Sequence, residues 1–163
     1  MPNQILLDQS AYLARVLDRF GMKDCKPSKT PSDSKLDISL IEESPEITEH
    51  VPYRELIGCL MYAIMGTRPD LSACVNFYSR YQDKPVKRAL WTGLKKLLRY
   101  IKGTINYGLV FVKLQSVSPQ KLICYVDASW ASDLNDRKST TGYLFKVFNC
   151  LIVWLRENAN QLL

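Results

Sequence analysis

Apolar residues follow one spacing in the first two thirds of the chain and another after Gly108. The chain opens on a short apolar run, Ile5-Leu6-Leu7, with Asp8 or Ser10 placed to cap a helix. Tyr12, Leu13, Val16, Leu17 and Phe20 then recur at helical spacing, and Gly21 stands where a helix closes. Tyr53, Leu56, Ile57, Leu60, Met61 and Ile64 form a second helical stripe that Gly66 ends. Pro69 suits the first turn of a third helix, whose apolar face is Leu71, Cys74, Val75, Tyr78 and Tyr81. Asp83-Lys84-Pro85 interrupts the pattern. Leu90, Trp91, Leu94, Leu97, Leu98 and Ile101 supply a last helical face, and Gly103 is its expected stop.

After Gly108 the apolar runs shorten and fill with β-branched and aromatic residues. Strands are predicted at Leu109-Val110-Phe111-Val112, Leu122-Ile123-Cys124-Tyr125-Val126, residues 141–147 and Cys150-Leu151-Ile152-Val153-Trp154. The short links between the last three favour an antiparallel meander, with residues 109–112 as an extra strand or link. Residues 155–163 could begin a helix but are too few to complete a layer. The fold class is α+β. Between the first two helices, residues 26–52 carry Pro27, Pro31, Pro45 and Pro52 among Ser, Thr and acids, which predicts a long exposed connector.

Charge sharpens this division. The net charge of +6 favours a polyanionic partner. Acids Asp37, Glu42, Glu43, Glu46, Glu49 and Glu55 gather in the connector and just beyond it. Lys84, Lys87, Arg88, Lys95, Lys96, Arg99 and Lys102 follow with no acid among them. Lys95, Arg99 and Lys102 fall off the apolar stripe of their helix, so a basic face looks towards solvent. Cys25, Cys59, Cys74, Cys124 and Cys150 are widely spaced and His50 is the sole histidine, so the sequence offers no zinc ligand set. The first residues lack the basic flank and apolar stretch of a signal peptide, and no run of about eighteen apolar residues occurs. The expectation is a soluble, intracellular, cytoplasmic chain with no membrane partner.

Several ordered motifs resemble one family. Tyr53-Arg54-Glu55-Leu56-Ile57-Gly58-Cys59-Leu60-Met61-Tyr62, Thr67-Arg68-Pro69-Asp70 and Leu97-Leu98-Arg99-Tyr100-Ile101-Lys102-Gly103-Thr104 look like the stretch after the polymerase palm of copia-type retrotransposon polyproteins. Tyr125-Val126-Asp127-Ala128-Ser129-Trp130-Ala131 and Arg137-Lys138-Ser139-Thr140-Thr141-Gly142-Tyr143 resemble the opening of that family's ribonuclease H domain. The resemblance implies a helical reverse transcriptase connection region over residues 1–107, with residues 26–52 as linker. A truncated ribonuclease H-like domain, a partial antiparallel sheet, would follow over residues 108–163.

It also implies two chemistries that depend on Mg2+ or Mn2+. Polymerisation needs the family's paired aspartates, and no Asp-Asp dipeptide occurs here. Ribonuclease H chemistry needs about four carboxylates around two ions, of which Asp127 matches the first. Ser129 stands where the family often has a second aspartate, and the glutamate of its Thr-Glu-Ala-Glu stretch has no counterpart here. An incomplete set implies no stably bound ion and no catalysis by the chain alone. The alternatives are an assembly in which another chain supplies the missing carboxylates, and a relic without selected function. Lys95, Lys96, Arg99 and Lys102 are the candidate contacts to an RNA–DNA hybrid or other nucleic acid, through phosphates and without sequence preference. Other parts of a Pol polyprotein are further implied partners, and a virus-like particle or the nucleus a further location for the parent element. Asp133 and Asp136 read as turn residues. Thr67-Arg68-Pro69-Asp70 reads as a helix-start device, with Arg68 pairing to Asp70.

Overall fold

A computed structural model describes residues 4–32, 41–83, 86–113, 122–129 and 139–159. The elements run β1 (Gln4–Asp8), α1 (Ser10–Arg19), α2 (Tyr53–Gly66), a 3-10 turn (Pro69–Leu71), α3 (Ser72–Ser79), α4 (Arg88–Gly103), β2 (Gly108–Val112), β3 (Leu122–Ser129), β4 (Ser139–Val147) and β5 (Cys150–Ala159). They divide into two units: residues 9–107, which hold the helices, and residues 1–8 with 108–163, which hold the strands. The fold is α+β with two small antiparallel sheets. Among the described residues no helix is long and apolar enough to cross a membrane.

The helical unit carries the core. Each predicted stripe is the buried one: Leu13, Val16 and Leu17 on α1, Leu56, Ile57, Leu60 and Ile64 on α2, and Leu90, Leu94, Leu97, Leu98 and Ile101 on α4. Full burial of each such side chain contributes roughly 1.5–3 kcal/mol. Met61 departs from its predicted stripe and is exposed. Tyr hydroxyls that enter this core find carbonyls: Tyr53 donates to Tyr78 O at 2.9 Å, and Tyr12 to Cys59 O at 3.1 Å.

Helix ends show where sequence signals held and where tertiary contacts replaced them. Gly21, at φ 65°, closes α1 with the paired bonds Gly21 N–H to Asp18 O (3.0 Å) and Met22 N–H to Leu17 O (2.8 Å). The start of α1 differs from expectation: neither Asp8 nor Ser10 occupies the cap position, which falls to Gln9 and makes no side-chain cap bond. The Gln9 amide is used elsewhere, accepting from Thr67 Oγ1 at 2.8 Å beyond the end of α2. The cap position of α4 is Lys87, whose ammonium cannot accept from an amide. Pro45 O accepts from Arg88 N–H at 2.9 Å and Ser44 Oγ from Ala89 N–H at 3.0 Å, so the connector satisfies two of the first amides of α4.

In the strand unit, β1 pairs with β2 from Gln4↔Val112 to Asp8↔Gly108, which makes Ile5-Leu6-Leu7 a strand. A Cβ at Gly108 would lie 2.3 Å from Leu7 O, so only glycine permits this pairing distance. The larger sheet has the order β3-β4-β5, the expected antiparallel meander. Phe148 and Asn149, both at positive φ, make a two-residue hairpin turn between β4 and β5. One expectation fails here: residues 155–159 begin no helix but continue β5, paired with residues 139–143 of β4. The open edge of β4 already offers backbone partners to that stretch, and ladder bonds formed there outweigh the weak local preference of Arg156-Glu157-Asn158 for a helix.

Candidate nucleic-acid interface

The basic face is built by the periodicity of α4. Residues three and four apart share a helix face, so burying Leu90, Leu94, Leu97, Leu98 and Ile101 turns Arg88, Thr92, Lys95, Arg99 and Lys102 to the opposite side. No acid lies within the helix, and Lys102 sits in its last turn, where a cation complements the helix dipole. Arg88 and Lys95 are exposed, while Lys96, Arg99 and Lys102 are partly covered. Trp91 is half-buried at the border of the apolar stripe rather than fully in the core.

Part of that cover is the segment after α1. Arg99 Nε–H donates to Lys26 O at 2.7 Å, and Ser28 N–H donates to Arg99 O at 3.0 Å. A Cβ at Gly103 would come within 3.2 Å of Pro27 Cβ, so the segment lies against the end of the helix. Lys26 and Lys29 are exposed there. No local pattern signals this docking, because Lys26-Pro27-Ser28 reads as connector and its partner lies more than seventy residues away.

Arg68 anchors the same helix end from within. Its side chain is 0% exposed, and its guanidinium forks onto Asp70 through Nε (2.9 Å) and Nη2 (2.8 Å). Nη2 also donates to Thr104 Oγ1 at 2.8 Å and Nη1 to Thr104 O at 3.2 Å. The rings of Tyr100 and Tyr107 face it at 5.9 and 5.7 Å. Tyr100 donates to Asp70 Oδ2 at 3.2 Å, and burial first, then the Asp70 charge, raises its pKa above the usual tyrosine value. The predicted Arg68–Asp70 pair is therefore present; the Thr104 end of the network was not foreseen.

Asp127 lies exposed on β3, paired with Gly142 of β4, which in turn pairs with Arg156 of β5. Tyr125, two residues before it, shares its face. Among the described residues no three His, Cys, Asp or Glu side chains gather to hold a metal ion. Trp130, Asp133 and Asp136 lie outside the described residues, and nothing is described of the Ser129 and Glu157 side chains. His50 lines an open cleft of about 460 Å³ with Glu49, Arg54, Glu55, Gln82 and Asp83, where Arg54 donates to Gln82 O at 2.6 Å and pairs with Asp83 at 2.9 Å.

Comparison with known proteins gives close relatives in sequence. The chain is 39% identical over 157 residues to the retrovirus-related Pol polyprotein from transposon TNT 1-94 of Nicotiana tabacum, an alignment covering 93% of this chain and 11% of that protein. It is 35% identical over 154 residues to the retrovirus-related Pol polyprotein from transposon RE1 of Arabidopsis thaliana, covering 94% and 10%. A stretch of 106 residues is 41% identical to secreted RxLR effector protein 161 of Plasmopara viticola, covering 65% of this chain and 72% of that protein. The chain thus spans about a tenth of the Pol relatives it matches. No family model matches it, and no solved structure does.

Proposed function

Because the chain belongs to the Pol polyproteins of copia-type retrotransposons, we propose that it is the piece joining the end of the reverse transcriptase to the start of the ribonuclease H, and that it holds nucleic acid without catalysing either reaction alone. The observation that carries this reading is α4: one face buried against the core, the other basic from Arg88 to Lys102 with no acid in the helix. Such a face attracts a phosphate backbone and releases its counterions, without reading base edges. An RNA–DNA hybrid is the substrate class that both parent activities would present to it.

Asp127 is the remnant of a ribonuclease H-type site. In the parent enzyme a divalent ion would activate the attacking water and neutralise charge on the leaving oxygen. Here Asp127 is an exposed carboxylate, and among the described residues no group of three His, Cys, Asp or Glu side chains gathers around a common point.

The experiment is a binding and cleavage assay on one hybrid. The purified chain binds it at low salt, and changing Lys95, Lys96 and Lys102 together to Gln lowers affinity at least tenfold. No cleavage is expected with Mg2+ or Mn2+. Metal-dependent cleavage that disappears in Asp127→Asn would contradict the non-catalytic reading, and unchanged binding by the triple variant would remove α4 from it.

A further inference from the structure

The loop following α1 has its own basic residues, and the structure places them beside α4. It leaves α1 through the Gly21 closure, and Cys25 N–H donates to Met22 O at 3.3 Å. Ser28 Oγ donates to Thr30 O at 2.9 Å. Between these bonds the loop is fixed to α4 at two points, Arg99 Nε to Lys26 O (2.7 Å) and Ser28 N to Arg99 O (3.0 Å). Lys26 and Lys29 are exposed on either side of that attachment. Among the described residues, the acids near this loop lie earlier: Asp18 faces Lys23 at 3.8 Å, and Asp24 is exposed beside it. Lys23 is thereby offset, whereas no acid bonds Lys26 or Lys29 among the described contacts.

Resting on the phosphate-binding reading of α4, we infer that the nucleic-acid surface is bipartite: Lys26 and Lys29 contact backbone phosphates together with Lys95 and Lys102, and Arg99 is the positioning residue that joins the two halves. The chemistry follows from Arg99's geometry. Its Nε–H is spent on a protein carbonyl, so its orientation is fixed by the loop while the rest of the guanidinium still adds positive charge. Loss of Arg99 would release the loop and with it two further cations. Two elements far apart in sequence then act as one electrostatic field, which neither would supply alone.

The test measures affinity of the full chain for a short RNA–DNA hybrid across roughly 50 to 200 mM salt. The double substitution Lys26→Gln with Lys29→Gln should flatten the logarithmic salt slope by about 0.9 for each lysine lost. Arg99→Gln should flatten it by more than one such step. Adding Arg99→Gln to the loop variant should cost less than it costs in the wild type, because the contacts it organises are already gone. An independent phosphate ligand would give additive losses, and that result overturns the positioning role. Wild-type binding that falls with the α4 lysines but is indifferent to Lys26 and Lys29 overturns the bipartite surface and leaves the function proposed for α4 standing. Absence of salt-dependent binding by the wild type overturns both. Circular dichroism on each variant separates these outcomes from unfolding, and the two lysines are exposed enough for glutamine to leave the fold unchanged.

Discussion

A buried guanidinium has to be fully partnered, and Arg68 is: Asp70 takes the fork, Thr104 takes two further bonds, and two tyrosine rings close the site. Removing one partner of such a pair leaves a desolvated charge, so Arg68→Ala or Asp70→Ala should destabilise the helical unit by roughly 3–5 kcal/mol in urea unfolding. Arg68→Lys should rescue little, since an ammonium cannot make the fork. The tyrosines impose a pH dependence. Tyr12 is pushed up to about 12 by burial first, then by the neighbouring Cys59 side chain, and burial also raises Tyr53 and Tyr100. A phenol whose folded pKa is raised favours the folded state while it is neutral, so its contribution is intact below pH ~10, the unfolded value. It is lost as pH climbs through the folded value. Unfolding free energy should therefore hold level to about pH 10 and fall towards pH 12, and Tyr53→Phe with Tyr12→Phe should make that fall shallower.

At the scale of elements, the helices were legible because their cores repeat at helical spacing: most residues of the α1, α2 and α4 stripes become buried, with Met61 exposed and Tyr12, Phe20 and Trp91 half-buried. Their ends were less so. Gly21 announces the close of α1, but nothing near Lys87 announces that Ser44 and Pro45 will satisfy the amides of α4, since Ser44 lies 45 residues before Ala89, within the connector. Ser44→Ala should cost about 1 kcal/mol, the usual loss of a helix-start acceptor. The strands were legible from alternation and aromatic content, whereas the length of β5 was not, because a neighbouring edge rather than local preference extends it. The β4–β5 turn carries an identifiable cost, Phe148 at φ 48°. Phe148→Asn with Asn149→Gly supplies the residues that such a turn prefers and should stabilise the strand unit by about 1 kcal/mol, read from its own chemical-shift or exchange transition.

Over the whole molecule, the two units differ in how they treat apolar surface. The helices bury most of theirs, with Met61, Tyr62 and Met65 of α2 left exposed, whereas Leu122, Tyr125 and Val126 on β3 and Ile152 and Val153 on β5 all stay open, with Val126 70% exposed. An apolar dye should therefore bind the chain, and Leu122→Lys with Val126→Lys should reduce that binding while leaving the helical transition in place. The candidate interface was legible in part for the same reason as the helices. A run of bases without acids marks α4 from sequence alone, but the loop against it is brought there by Arg99, a contact no local pattern encodes. Asp127 was recognisable only through its neighbours Tyr125, Val126 and Ala128 and the resemblance they carry, since one exposed carboxylate on a strand has no distinguishing chemistry. The deciding measurement is the salt dependence of binding to an RNA–DNA hybrid, compared between the wild type and the chain with Lys95, Lys96 and Lys102 changed to Gln. A basic α4 face that grips phosphates gives the wild type a steep slope that flattens by about 0.9 for each phosphate contact removed; a wild-type affinity indifferent to salt, or one whose slope the three substitutions leave unaltered, would rule that face out as the nucleic-acid surface.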